Sequence, residues 1–423
     1  MNFKKNILEI LSTKTLQHSL VTISGTVING VLGLFFYILL ARNLGPANFG
    51  IFTVAVISLT LLADIGSFGV DTSVIRFLGK YGAEEKSRSF LKLALKIKFL
   101  VWLVILGVGW ILAPTIAQTF FQKSSLIFPL QLAFLGVGGA MLFSLISSAL
   151  QGYQRYQNWA QLNISINLLR LMLLILGVSL TILTVNNALY IFIVTPFLGF
   201  LIGSTLLSNF ISAPLNKNIL SEFFTFNKWI AILTVIAAIS ARLDIYLLTR
   251  FSSIKEVGYY GVATQLASVL PQLIFALAAV AAPKLASFDN KGKAVSYLKK
   301  LSLLTGGLSV VGLILLPVIN FMIPLIFGSS YYNSIAPFSI LFLAQLIFLI
   351  SLPAHQAIFY FFAQPKIFVG VTLINILTMI FVGLWLVPIY GPIGAAVTLL
   401  IGNLVNFILP TIWVIGQFSQ KIK

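Results

Sequence analysis

Twelve stretches of about twenty apolar residues, joined by short polar links, fill almost the whole of this chain. A hydrocarbon core about 30 Å thick needs about 20 helical residues to cross it. Inside that core only helices and closed barrels satisfy their own backbone, and stretches of this length without alternation are helical. The fold class expected is therefore all-α and polytopic, with about twelve transmembrane helices. They run approximately 18–40, 49–69, 90–113, 126–150, 160–184 and 188–211, then 229–249, 259–282, 298–323, 334–360, 368–388 and 393–416. Composition agrees: 59% of residues are hydrophobic and only 9% charged, against about 25% charged in soluble domains.

The chain also repeats itself. Residues 42–55 read RNLGPANFGIFTVA and residues 250–263 read RFSSIKEVGYYGVA, 208 positions on. A second echo pairs SFLKL at 89–93 with SYLKK at 296–300. Doubling of this kind marks transporters whose halves share a site near mid-membrane. The expected organisation is an amphipathic segment 1–17, a six-helix bundle 18–212, a link 213–228, a second bundle 229–416 and a tail 417–423. Lys4, Lys5, Ile7, Leu8, Ile10, Leu11 and Lys14 suit a short helix lying on a membrane surface. The start MNFKK carries no cleavable signal.

Lys and Arg set the orientation expected. With the N-terminus inside, 21 of the 27 fall on the inner side and four outside: Arg42, Lys123, Arg250 and Lys255. The bias predicts a multi-pass protein of the cell membrane with both termini cytoplasmic. Two bundles of six then enter from the same face and form a parallel repeat. The net charge of +18 is explained by these links, so no nucleic acid partner is expected.

Catalysis finds little support. There is no cysteine, only His18 and His355, no phosphate-binding glycine loop and no metalloprotease helix motif. No catalytic residue, cofactor or metal site is expected. What remains is charge within the membrane, costly there and usually turned to a cavity or a partner. Arg170 lies about 15 Å into its span, with Asn163 and Asn167 on the same helix face. This stripe lines a cavity, or else Arg170 is a structural group capped by carbonyls of another helix.

Arg242 and Asp244 are two residues apart and so point to different faces. Asp244 either joins a structural salt bridge, with Arg170 or with groups beside Arg242, or takes part in coupling. Arg42 and Arg250 occupy equivalent repeat positions, where a headgroup anchor is the plainer role and substrate contact the other. Asp71 and Arg76 are read as an inner gate pair or as part of a solvated loop. Lys96 and Lys98 line the inner mouth or snorkel. Gln265 and Gln345 are selected as further cavity contacts. His355, beside Pro353, is read first as a packed kink residue. Cations outnumber anions within the spans, which suits an anionic ligand such as a phosphate or pyrophosphate.

The segment LLARNLGPANFGIFTVA at 39–55 and its successor ADIGSFGVDTSVIRF at 63–77 resemble polysaccharide flippases. These belong to the multidrug/oligosaccharidyl-lipid/polysaccharide (MOP) exporter superfamily. ARLDIYLLTRF at 241–251 and EVGYYGVA at 256–263 are similar to that family's seventh and eighth spans. The resemblance implies two six-helix bundles forming a V around a cationic cavity. It implies alternating access that carries a polyprenyl-(pyro)phosphate-linked oligosaccharide from the inner to the outer leaflet. Arg42, Arg76, Asp244 and Arg250 fall on matching segments. Glycan polymerase and glycosyltransferases of the same pathway are the partners implied, beside the bilayer itself. The chain stops at twelve spans, which argues against the lipid II branch. The alternatives are a cation-coupled multidrug exporter of the same superfamily and a membrane glycan polymerase or ligase. The first calls for buried carboxylates and the second for a large external loop.

Overall fold

The computed structural model describes residues 14–82, 84–207, 210–215 and 217–419. The expected amphipathic segment lies almost entirely outside them. Among the described residues there are helices and turns but no strand. The helices are α1 (Lys14–Ser67), α2 (Val70–Tyr81), α3 (Glu85–Thr115), α4 (Ile127–Gly152), α5 (Tyr156–Ser179), α6 (Val185–Thr205) and α7 (Lys217–Ser240). They continue as α8 (Leu243–Phe251), α9 (Ile254–Ala267), α10 (Val269–Ala286), α11 (Lys291–Phe327), α12 (Ile335–Gln356) and α13 (Lys366–Ser419).

Among the described residues nine helices are long and apolar enough to cross a membrane, or ten with the bent pair inside α7. Two of them are too long for one crossing. At 54 residues each, α1 and α13 would measure about 80 Å. Each is interrupted at a glycine of positive φ: Gly45 (71°) in α1 and Gly391 (53°) in α13. Pro46 and Pro392 follow directly. Glycine tolerates the left-handed backbone that ends a helix, and proline, lacking an N–H, starts the next one at no cost. Each long helix thus supplies two bilayer lengths, which brings the described candidates to about twelve when the bent pair is included; the expected stretch 229–249 is instead broken at Arg242, between α7 and α8. The chain is a multi-pass membrane protein.

The helices form two compact units. One takes residues up to Leu44 with Val54–Ala238, the other Gly45–Thr53 with Ile239–Lys423. The division is not at the expected link 213–228. That stretch is mostly helical, and its Ile219 and Phe223 are buried in a cluster with Phe77, Phe90 and Leu150 of the first unit. Glu222 adds ion pairs to Lys80 (3.3 Å) and Lys86 (2.8 Å) and accepts from the Tyr81 hydroxyl at 2.6 Å. An apolar face flanked by charges packs as a helix; it does not serve as a free linker.

In the second unit the two repeat segments meet backbone to backbone. A Cβ added at Gly50 would stand 2.0 Å from the Ile254 carbonyl oxygen, and one at Gly258 1.9 Å from that of Pro46. Gly50 and Gly258 are equivalent in the repeat, as are Pro46 and Ile254. The crossing is therefore symmetric in sequence as well as in space. Small residues permit such approach in membranes, where close packing substitutes for the hydrophobic effect between helices.

Candidate substrate site

A cavity of about 410 Å³ lies within the first unit. Its wall includes Thr60 of α1, Asp71 of α2, Ser144, Ser147 and Ser148 of α4, Asn163 and Arg170 of α5, and Phe192 of α6. The stripe read from the sequence is on the cavity side: Asn163 and Arg170 both face it. Asn167, between them, is turned to a neighbouring helix arm and donates to Asn29 Oδ1 at 2.8 Å.

Arg170 is held from several directions. Its Nε donates to Thr195 Oγ1 at 3.0 Å, and Nη1 donates to Asn167 Oδ1 at 3.4 Å. The guanidinium lies 4.3 Å from the centre of the Phe192 ring. Phe192 and Thr195, three residues apart on α6, present one face. Thr195 donates in turn to the Ile191 carbonyl at 3.0 Å. None of these partners is a carboxylate, and among the described residues Nη2 has no hydrogen-bond partner. A charged fork remains directed at the cavity.

Asp71 and Lys98 make the opposite arrangement. Asp71 lies in the first turn of α2, where a carboxylate suits the helix dipole. Lys98 of α3 is completely buried. Its ammonium donates to Asp71 Oδ1 at 2.6 Å, Ser144 Oγ at 2.7 Å and the Met141 carbonyl at 3.0 Å. Three protons meet three acceptors, so the charge is fully coordinated. Ser144 also donates to Asp71 Oδ2 at 3.1 Å. The pair is neutral as a unit, which leaves Arg170 to set the sign of the cavity.

The remaining expected site residues lie elsewhere. Arg76 does not pair with Asp71. Its guanidinium covers the Phe226 ring at 4.2 Å, because Lys98 has already claimed the carboxylate. Nor is Asp71 in a solvated loop; α2 is helical there. Arg242 stands at the break between α7 and α8. Asp244 is buried in the second unit and accepts a hydrogen bond from the Tyr260 hydroxyl, where a salt bridge with Arg170 had been one expectation. Arg42 is exposed just before the Gly45 break, and Arg250 is in the last turn of α8. Neither lines this cavity, nor do Gln265 and Gln345. His355 packs between Phe348 and Phe368, with Nε2 2.8 Å from the Asn406 carbonyl oxygen, as a kink residue would.

Lys98 and Ser144 were not singled out as partners of Asp71. The signal in the sequence is three lysines, Lys92, Lys96 and Lys98, within the first turns of an apolar run. Lys96 is exposed and Lys98 buried, a distinction that two-residue spacing on a helix permits but does not reveal.

The family model described as "Polysaccharide biosynthesis protein" matches residues 15–289, 275 of the 423. The chain belongs to the polysaccharide biosynthesis protein family. The resemblance carried by residues 39–77 and 241–263 is thereby confirmed at family level. No curated protein sequence matches the chain significantly. Among solved structures the fold is similar to the lipid II flippase MurJ in an inward closed conformation. The TM-score is 0.77 at 15% identity, over 94% of this chain and 89% of that one. It is also similar to an inward-facing multidrug resistance MATE family transporter of the MOP superfamily, with TM-score 0.75, 13% identity, and 94% and 98% coverage. A MOP superfamily transporter from Pyrococcus furiosus gives 0.65 at 12% identity, with 96% and 95% coverage. The helical fold is that of MOP superfamily transporters.

Proposed function

We propose that this family member flips polyprenyl-(pyro)phosphate-linked oligosaccharides from the inner to the outer leaflet by alternating access, with both termini cytoplasmic. The observation that carries the reading is Arg170: a guanidinium facing a cavity in the first unit, with no carboxylate paired to it among the described residues. An unpaired cation is expensive in a bilayer and is retained where a ligand completes it. Phosphate oxygens match the guanidinium fork. Thr60, Ser144, Ser147 and Asn163 supply hydroxyl and amide groups suited to sugar hydroxyls. The positive sign argues against organic cations as cargo. Transport of this kind makes and breaks no covalent bond in the substrate, so the chain is read as a transporter without cofactor; a glycan polymerase would act on its product.

The test is complementation of a deletion strain. Arg170→Ala is expected to lower surface polysaccharide export by about tenfold or more, with lipid-linked oligosaccharide accumulating on the cytoplasmic leaflet and the protein still inserted. Arg170→Lys restores part of the export. Normal export from Arg170→Ala at wild-type protein levels removes the reading.

A further inference from the structure

The second unit has a cavity of its own, about 430 Å³ in volume, within the range of small-molecule sites. It is built where three turns converge: the start of α9, the short helical turn Ser329–Ser334, and the Gly391–Pro392 break of α13. All three belong to links opposite the Lys/Arg-rich side of the chain. Tyr259, Tyr332 and Tyr390 contribute aromatic rings, and Glu256 and Asn333 contribute polar groups.

Two of these rings are offered, not packed: Tyr332 is 68% exposed and Tyr390 58%. The third is fixed. Tyr259 is 7% exposed and meets Tyr331 edge to face at 6.3 Å. Tyr331, itself fully buried, meets Phe49 at 6.2 Å. Glu256 is held by a capping box in which its Oε2 accepts from the Ser253 N–H and hydroxyl, both at 2.8 Å. Among the described residues Oε1 has no hydrogen-bond partner. It points to the space a side chain at position 391 would enter, since a Cβ on Gly391 would lie 3.2 Å from it.

The sign of this cavity excludes the ligand of the first one. A carboxylate with a free oxygen repels phosphate and the headgroups of anionic lipids. Tyrosines of an interfacial belt also present rings to lipid, but here they converge with a carboxylate and an amide in one concavity. An aromatic face suits the apolar C–H face of a pyranose, while carboxylate and amide take its hydroxyls. We propose that this pocket is a binding subsite for neutral sugar residues of the glycan, separate from the site of the diphosphate. The assignment rests on the flippase reading for its ligand and on Tyr332, Tyr390 and Glu256 for its chemistry.

The experiment uses the full chain in nanodiscs of neutral lipid. The probe is oligosaccharide released by mild acid from the host's polyprenyl-linked pool, free of lipid and phosphate. Saturation-transfer NMR and calorimetry are expected to show saturable binding. Affinity falls about tenfold in Tyr332→Ala and in Tyr390→Ala. It falls measurably in Glu256→Gln, which keeps the helix cap. Arg170→Ala binds the probe as wild type does, and inorganic pyrophosphate does not compete. The proposal is overturned by absence of saturable binding, by binding indifferent to both tyrosines, or by loss of binding in Arg170→Ala. It is also overturned if the tyrosine variants change only thermal stability, as plain membrane anchors would. Export lost in Arg170→Ala with unchanged probe binding in Tyr332→Ala removes the subsite and keeps the flippase. The converse pair of results removes the flippase and keeps the subsite.

Discussion

The two units bury polarity in different ways although the repeat runs through both. The first encloses an ion pair, Asp71 with Lys98, beside Arg170, which has no carboxylate partner among the described residues. The second encloses one carboxylate, Asp244, held by the Tyr260 hydroxyl. At the repeat offset of 208, Asp244 and Tyr260 correspond to Phe36 and Phe52, both buried. At the offset of the second echo, Lys98 corresponds to Thr305, also buried. The doubling thus keeps the glycine crossing, while the helix breaks and the buried charges differ between the halves. Equivalent backbone does not imply equivalent chemistry.

The largest effect that tests this contrast is expected at the ion pair. Asp71→Ala strands a fully buried ammonium and should cost about 4 kcal/mol of stability. Adding Lys98→Met should recover most of it, as thermal unfolding in detergent would show. If the single variant is as stable as wild type, Lys98 is not a buried charge and the contrast collapses.

Shared backbone geometry is tested next. Gly258→Ala forces a methyl against the Pro46 carbonyl and should cost about 2–3 kcal/mol. Gly307→Ala, with open space around its Cβ, should stay within about 0.5 kcal/mol of wild type in the same assay. Equal behaviour of the two would show that the repeat crossing is loose.

Tyr260→Phe sharpens the second half of the comparison. It removes the hydroxyl from Asp244 and should destabilise by about 1–2 kcal/mol. Phe52→Tyr, placing the same hydroxyl at the equivalent position, finds no carboxylate waiting and should destabilise as well. Smallest is Arg76→Ala. An exposed guanidinium over Phe226 contributes about 0.5 kcal/mol, and export should be unchanged; a marked export defect would return Arg76 to the gate.

Sequence periodicity revealed the helices because bilayer thickness leaves few alternatives. Apolar length divides even the two 54-residue helices into four spans, and the structure places a Gly-Pro break in each. The repeat was visible too, but not that Gly50 and Gly258 touch. Similarity in sequence says which segments correspond, while contact depends on how the chain returns. For the site, Arg170 and Asn163 were legible from helical spacing on one segment. The partner of Asp71 was not, because Lys98 and Ser144 come from other helices and nothing local ties them to it. Arg242, Arg42 and Arg250 stand at helix ends or a helix break, outside the cavity of the first unit. Charge near a helix end satisfies the membrane boundary and helix dipole without entering a cavity.

The crossing of Gly50 and Gly258 has a dynamic consequence. Where main chain meets main chain, the contact itself freezes no side-chain rotamers. The register is held by small residues: Gly50 and Gly258 meet backbone, and a Cβ on Gly261 would press on Thr53 and Phe49 of the facing segment.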